Sequence, residues 1–226
     1  MIKKTQELEE NDEVLEIGCG WGAFSFFLAK TVKAKVTAIT ISKKQFESVK
    51  QKIFEENLSE KIIVKLIDYR DLKGRFDKIV SVEMFEAVGE KYWSVYFDTL
   101  KNNLRNKGKI GLQTITIDDD YFKTYKKFPD FIQTYIFPGG MLPSLTVLQK
   151  TLNNAGLKII DKNLFGDHYA KTISQWKQSF ESSWVDIKRC GFDVNFKRLW
   201  NYYLSYCEGG FRSGNINVGQ FLIIKE

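Results

Sequence analysis

Regular patterning begins at Val14-Leu15-Glu16-Ile17, a short apolar run that ends in glycines. A run of that length, bounded by a turn signal, predicts a buried strand. Phe24 to Lys30 predicts a helix, Lys35 to Ile39 a second strand, and Lys43 to Glu56 a second helix. Ile62 to Ile67 predicts a third strand, and Phe76 to Val82, preceded by Gly74, a fourth. Tyr92 to Leu104 reads as a helix and Lys109 to Ile117 as a fifth strand. Strands alternating with helices in this way predict a parallel sheet covered on both faces, because each parallel crossover needs a helix.

The second half is less regular. Residues 118–143 are rich in aromatics and hold Pro129, Pro138 and Pro143, the only prolines of the sequence. They are expected to form an insertion over the ligand-binding edge of the sheet. Ser144 to Asn154 predicts a helix with Ser144 as its N-cap. Leu157 to Leu164 predicts a strand, followed by helices over about 170–189 and 193–207. Val218 to Ile224 is rich in β formers and reads as a last strand. A strand that follows long helices suits an antiparallel edge on a parallel sheet. No internal repeat or linker interrupts the pattern, so residues 1–226 are expected to form a single domain.

Composition narrows the function. Hydrophobic residues make up 43% and charged residues 27%, as in a globular protein. Aromatics reach 15%, more than a small core needs; a hydrophobic ligand channel or a Phe-rich core would use the surplus. There is one histidine, His168, which excludes a multi-histidine metal site, and no metal ligands are expected. Cys19, Cys190 and Cys207 form no close pair, which fits a reducing cytoplasm. No apolar run approaches the ~20 residues of a membrane span. Met1-Ile2-Lys3-Lys4-Thr5 has no apolar stretch behind it and does not read as a signal peptide. The net charge of +6 suits a negatively charged partner, either nucleic acid or an anionic membrane surface.

The strongest local signal is Glu16-Ile17-Gly18-Cys19-Gly20-Trp21-Gly22, which leaves a strand and opens a helix. Glycines there allow a tight turn and a close approach of backbone to ligand. Two details favour S-adenosylmethionine over a dinucleotide. Glu16 precedes the first glycine and can balance a cationic ligand. The third glycine of the dinucleotide pattern would fall at Ala23, whereas the loop has Gly22. The second strand ends Ile39-Thr40-Ile41-Ser42, without the acid a dinucleotide site expects there. Asp68-Tyr69-Arg70-Asp71 follows the third strand and would supply adenine contacts, or would be an ordinary polar turn.

Several further stretches resemble the cyclopropane fatty-acid synthases, including the mycolic-acid cyclopropane synthases. They are Val36 to Ser42 with Gln45, Val82-Glu-Met-Phe-Glu86 with Val88-Gly89, Leu112-Gln-Thr-Ile115, Tyr135-Ile-Phe-Pro-Gly-Gly140 with Leu142-Pro143-Ser144, His168-Tyr169, and Cys207-Glu-Gly-Gly-Phe-Arg212. The resemblance implies an α/β, Rossmann-like methyltransferase fold with a mostly parallel seven-stranded sheet and an antiparallel edge strand. It implies transfer of a methylene from S-adenosylmethionine to the cis double bond of phospholipid acyl chains, with bicarbonate as the base. Glu16, Gly18, Gly20, Thr40, Ile41, Gln45, Asp68 and Tyr69 are then expected to hold the cofactor. By the same resemblance, Glu86, Gln113, the backbone of Ile115 and Tyr169 are expected to hold the anion. The plainer alternatives are a helix-capping Glu86, a satisfied core Gln113 and a packed Tyr169. Cys19 is expected to pack rather than react, and His168 to be structural.

The family carries a helical segment of several dozen residues ahead of the glycine loop, with an active-site Cys whose backbone helps hold bicarbonate. Here 15 residues precede Glu16 and none is Cys, so weak or no cyclopropanation is expected of the sequence as written. The insertion and helices over 170–207 are expected to cover the acyl substrate. Tyr121-Phe-Lys-Thr-Tyr-Lys-Lys-Phe128 interleaves aromatics with lysines, which suits an anionic headgroup layer or a solvated basic face. The expected location is cytoplasmic and peripheral to the membrane, with a homodimer as an allowed assembly. No recognition helix or base-methylase tetrapeptide supports a nucleic-acid partner. Rival readings are methylation of a carbon in acyl chains, N-methylation of a small amine, and a remnant that binds cofactor or lipid without turnover.

Overall fold

The structure is a computed structural model that describes residues 8–226. Met1 to Thr5, the segment considered as a leader, lie outside the described residues. In sequence order the main elements are β1 (Glu13–Ile17), α1 (Ala23–Phe27), β2 (Lys35–Thr40), α2 (Lys43–Glu55), β3 (Ile62–Leu66) and β4 (Phe76–Val82). They continue with α3 (Trp93–Asn103), β5 (Leu104–Ile117), α4 (Asp119–Lys127), α5 (Leu145–Asn154) and β6 (Leu157–Leu164). The last elements are α6 (Gly166–Ser182), α7 (Trp184–Arg189), α8 (Val194–Arg212) and β7 (Ile216–Lys225).

The seven strands form one sheet in the order β3-β2-β1-β4-β5-β7-β6. The pairs β1–β2, β2–β3, β1–β4 and β4–β5 are parallel. The sheet as a whole is mostly parallel with antiparallel strands, as expected. β7 lies between β5 and β6, so the two edges are β3 and β6, and the last strand is not the edge strand expected from its place late in the sequence. The order reverses between β1 and β4, since the backbone first builds outward through β2 and β3 and then returns to the other side. Open α/β sheets place ligands outside the carboxyl ends of the strands at such a reversal.

By contacts the protein falls into two compact units. The first runs through Thr114 and adds Thr146–Asn163 and Gln220–Glu226. Both faces of its central strand are buried, which explains the unbroken apolar run of β1. On one face Val14, Val36, Ala38 and Val80 pack against Phe26, Leu28, Val49 and Ile53. Phe85 meets Trp93, Tyr96 and Phe97 at ring separations of 5.0–5.3 Å, so the start of α3 is an aromatic block. Ser42 caps α2 by accepting from the Gln45 amide, a contact worth ~1 kcal/mol in such helices.

The second unit comprises Ile115–Leu145 and Leu164–Gly219. There α6 and α8 pack along each other and bury Ala170, Ile173, Leu204, Cys207 and Phe211. Asp118 caps α4, whose first turn carries Asp119 and Asp120 and whose last turn carries Lys126 and Lys127. Acids at the start and bases at the end both suit the helix dipole.

Three local features depart from the pattern. The helix after the glycine loop stops at Phe27 and widens into a π-turn over Leu28–Val32, which ends at Lys33 in a left-handed conformation (φ 62°). The helix expected over 170–189 is two helices, because Ser183 (φ −89°, ψ 4°) leaves helical geometry. β5 starts at Leu104 rather than Lys109, reaching past an irregularity near Phe76 and Lys78 with Lys107 left-handed.

Candidate active site

β1 delivers the backbone to the reversal point, and the glycines then turn it. Gly18, Gly20 and Gly22 all have positive φ, at 78°, 54° and 86°. The amides of Gly18 and Cys19 both donate to the Ile39 carbonyl at 3.0 Å, which ties the loop to the end of β2. A Cβ on Gly18 would lie 2.7 Å from Met84 Cγ, whereas one on Gly20 would meet nothing within 4 Å. The first glycine is thus required by a neighbouring wall. The second lies beside open space, as a backbone that receives a ligand should.

Glu16 is 3% exposed, and its carboxylate accepts a hydrogen bond from Ser25 Oγ. Burial pushes its carboxyl up to about 7, with the Ser25 contact acting in the opposite direction. A carboxyl held there gains a full charge readily when a cation arrives, because the cation restores the stabilisation that water would have given. Cys19 is buried, and burial first, then the nearby Glu16, push its thiol up to about 12. It is packed in the core, as its place in the sequence suggests.

At the end of β2, Thr40 Oγ1 donates to Gln45 Oε1 at 2.7 Å and accepts from the Ser42 amide at 3.1 Å. Thr40, Ile41 and Gln45 therefore form one local group. Ile41 is 78% exposed, an unusual position for an aliphatic side chain beside a glycine loop. After β3, both oxygens of Asp68 are engaged by Arg70, at 2.9 Å from Nε and 2.7 Å from Nη2. That contact holds the Asp68 carboxyl below the usual range. Asp68 thus also caps its own turn. The Tyr69 ring, edge-on to Tyr96 at 5.3 Å, is the half-buried surface offered there.

Glu86 follows β4 in a short 3-10 turn over Phe85–Ala87, with Oε2 buried. Burial above all pushes the Tyr96 hydroxyl up, and the charge of Glu86 adds to it. Gln113 sits in β5 opposite Val82, and its Nε2 donates to Glu83 Oε1 at 2.7 Å. Glu83 adopts a left-handed conformation (φ 50°) as the backbone leaves β4, and its amide donates to the Gln113 carbonyl at 2.8 Å. Ile115 lies two residues further along β5. Within the second unit, Ile115 and Tyr169 pack against the same apolar cluster. Tyr169 meets the Phe211 ring at 5.1 Å and the Trp176 ring at 6.1 Å. His168 is exposed on the first turn of α6. Ser25 and Gln220 touch predicted site residues without any sequence signal of their own, whereas Arg70 and Glu83 lie inside stretches the sequence already marks. Nothing in local spacing marks Gln220, which contacts Gln113 from 107 residues away.

A family model described as mycolic acid cyclopropane synthetase matches residues 1–221. The chain belongs to the mycolic acid cyclopropane synthetase family. Within it, the tuberculostearic acid methyltransferase UfaA1 of Mycobacterium tuberculosis is 36% identical over 97% of this chain and 51% of its own length. The cyclopropane-fatty-acyl-phospholipid synthase of Escherichia coli is 35% identical over 97% of this chain and 55% of its own. The sequence therefore spans about half the length of these curated relatives. Among solved structures, the mycolic acid cyclopropane synthase CmaA1 complexed with SAH and CTAB superposes with a TM-score of 0.91 at 27% identity. That match covers 98% of this chain and 82% of the other. Family membership carries the fold of S-adenosylmethionine-dependent methyltransferases, and the sheet order above is the architecture on which the glycine cradle sits. Among the described residues, no helix is long and apolar enough to cross a membrane.

Proposed function

We propose that the protein transfers a methylene from S-adenosylmethionine to the cis double bond of unsaturated phospholipid acyl chains, forming a cyclopropane ring. The observation that carries this reading is the cradle of Gly18, Gly20 and buried Glu16 at the strand reversal of a member of this family. The residues fit the cofactor. Gly20 leaves space for it, Glu16 offsets its positive charge, and Thr40, Ile41 and Gln45 meet it at the end of β2. Tyr69 offers a ring to the adenine, and Asp68 holds the turn that presents it.

S-adenosylmethionine supplies an electrophilic methyl. The alkene attacks that methyl and the carbon–sulfur bond breaks, leaving its electron pair on sulfur. A positive charge remains on the neighbouring alkene carbon. Loss of a proton from the new methyl closes the ring onto that carbon. The protein's part is to exclude water that would quench the cation and to face it with aromatic rings. The second unit has such rings in quantity, among them Phe165, Tyr169, Trp176 and Phe211. We assign the acyl substrate to this unit, with the 118–143 insertion and the helices over 170–207 as its cover. Bicarbonate would supply a base when bound; in the first unit Glu86 and Gln113 are assigned to it, and the family resemblance adds the Ile115 backbone and Tyr169 of the second unit. Gln113 brings an amide donor and Glu86 a buried carboxyl that can share a proton with an anion.

The test is a reaction of the purified protein with monounsaturated phospholipid vesicles and S-adenosylmethionine deuterated in its methyl group. Product lipids with a deuterated methylene in the acyl moiety are expected on prolonged incubation, even at the weak turnover expected from the sequence. Unlabelled lipids, from a folded protein that binds the cofactor, overturn the reading. A second reading, methylation of a carbon in acyl chains, is favoured by the relative named a tuberculostearic acid methyltransferase. It predicts that the fully deuterated methyl is retained, the balancing proton leaving instead from an acyl carbon to give a new double bond.

The reading includes peripheral contact with an anionic membrane through α4. Of its interleaved residues, Tyr121, Lys123, Lys126, Lys127 and Phe128 are exposed, while Phe122 is buried. Lys127 Nζ sits 5.3 Å from the Phe128 ring centre, a pairing suited to the headgroup layer. Sedimentation with anionic vesicles and not with neutral ones is expected; equal sedimentation with both rejects the contact.

A further inference from the structure

Three side chains form a row across neighbouring strands of the first unit. Glu83 follows directly after β4, Gln113 lies in β5 and Gln220 in β7, and these strands are adjacent in the sheet. Gln113 Nε2 donates to Glu83 Oε1 at 2.7 Å, and Gln220 Nε2 donates to Gln113 Oε1 at 2.8 Å. The backbone fixes the first pair as well, through the Glu83 amide on the Gln113 carbonyl.

A primary amide turned over by half a rotation keeps its shape and exchanges its donor and acceptor ends. Its neighbours decide which end faces which way. An ionised carboxylate only accepts, so Glu83 requires the nitrogen of Gln113 on its side. The oxygen of Gln113 must then face Gln220, and Gln220 must present its own nitrogen. The polarity of the whole row follows from Glu83. At the far end Gln220 Oε1 is buried without a hydrogen-bond partner among the described residues. Leaving a buried acceptor unsatisfied is unfavourable. A Leu or Met at this position would avoid that cost but would leave the Gln113 oxygen unheld.

We propose that Gln220 is a positioning residue: by holding the Gln113 oxygen it keeps the Gln113 amide in the orientation that Glu83 sets, so that a small anion beside Gln113 meets an N–H and not a carbonyl oxygen. This rests on the reading of Gln113 as an anion ligand given under Proposed function. Gln220 touches no reacting atom in this account and acts through Gln113 alone.

The test measures binding of isotopically labelled bicarbonate by NMR to the purified protein saturated with S-adenosylhomocysteine. Thermal melting and S-adenosylhomocysteine affinity are followed alongside. Gln220→Leu is expected to weaken bicarbonate about tenfold while leaving cofactor affinity unchanged. The decisive variant is the double exchange Glu83→Gln with Gln220→Glu. It keeps every hydrogen bond of the row but reverses its direction, because the carboxylate now sits at the other end. Its melting temperature is expected to recover relative to Gln220→Glu alone, while bicarbonate binding stays lost. Recovery of both, or unchanged bicarbonate binding in Gln220→Leu, overturns the proposal. Gln113→Ala separates the two layers. If it loses bicarbonate while Gln220→Leu keeps it, only the positioning inference falls. If Gln113→Ala binds bicarbonate like the unaltered protein, the anion-ligand reading falls, and this inference with it.

Discussion

Replacing Glu16 with Gln probes the buried acid at the centre of the cradle. The amide has nearly the same shape and can still accept from Ser25 Oγ, but it cannot ionise. In the native protein burial pushes the carboxyl from its ordinary 4.5 up to about 7. The folded state thus keeps its proton over a range in which the unfolded state has released it. In that range the unfolded state binds fewer protons, so stability falls as pH rises. The Glu16 contribution is fully present below about 4.5, drains away towards about 7, and is constant above that. At ~1.4 kcal/mol for each pH unit between the two values, the loss is about 3 kcal/mol. The Glu16→Gln variant escapes this loss. Urea unfolding followed by tryptophan fluorescence, at constant ionic strength, should show the two proteins converging near pH 4.5. Above neutrality the variant should be the more stable by about 3 kcal/mol. The same variant should bind S-adenosylmethionine more weakly, since the neutral amide gives a sulfonium no counter-charge. A stability difference that is constant from acid to alkaline pH would refute the reasoning.

Two further predictions concern the same loop and the cysteines. Gly18→Ala forces a Cβ to 2.7 Å from Met84 at φ 78° and should destabilise by about 2–3 kcal/mol. Gly20→Ala has open space and should cost only about 1 kcal/mol, yet weaken cofactor binding because its methyl enters the cradle. Urea titrations with and without cofactor separate the two effects, and equal folding costs would count against the geometry. Among the cysteines, burial pushes Cys19 up to about 12 and Cys207 up to about 11, whereas Cys190 is exposed. Iodoacetamide at mildly alkaline pH should label Cys190 alone in the folded protein. Rapid labelling of Cys19, read by peptide mass spectrometry, would contradict its burial.

Much of the fold is legible in the sequence because its signals are local. Val14 to Ile17 reads as a strand since burial on both faces leaves no room for polar alternation. The glycines after it mark the turn because only that residue tolerates the conformations found at Gly18 and Gly22 beside close neighbours. What escapes the sequence depends on distant contacts. The seating of β7 between β5 and β6 is a matter of sheet order, which no local pattern encodes. The Glu16 carboxyl is held by Ser25, which no spacing singles out, and the Asp68 carboxyl by Arg70, whose stretch the sequence marks but whose pairing it does not show. The break at Ser183 is a small change in backbone angle within an otherwise helical run. The row from Glu83 through Gln113 to Gln220 needs three strands side by side, so it exists only once the sheet is assembled.

The central claim is that a carbon from S-adenosylmethionine reaches lipid acyl chains as a methylene. The most direct measurement is mass spectrometry of phospholipid acyl chains from cells that express this protein and are fed methyl-deuterated methionine. The account predicts a ring methylene whose hydrogens are both deuterium, because one deuteron leaves when the ring closes. Acyl chains without label, from cells that hold the folded protein, would contradict it.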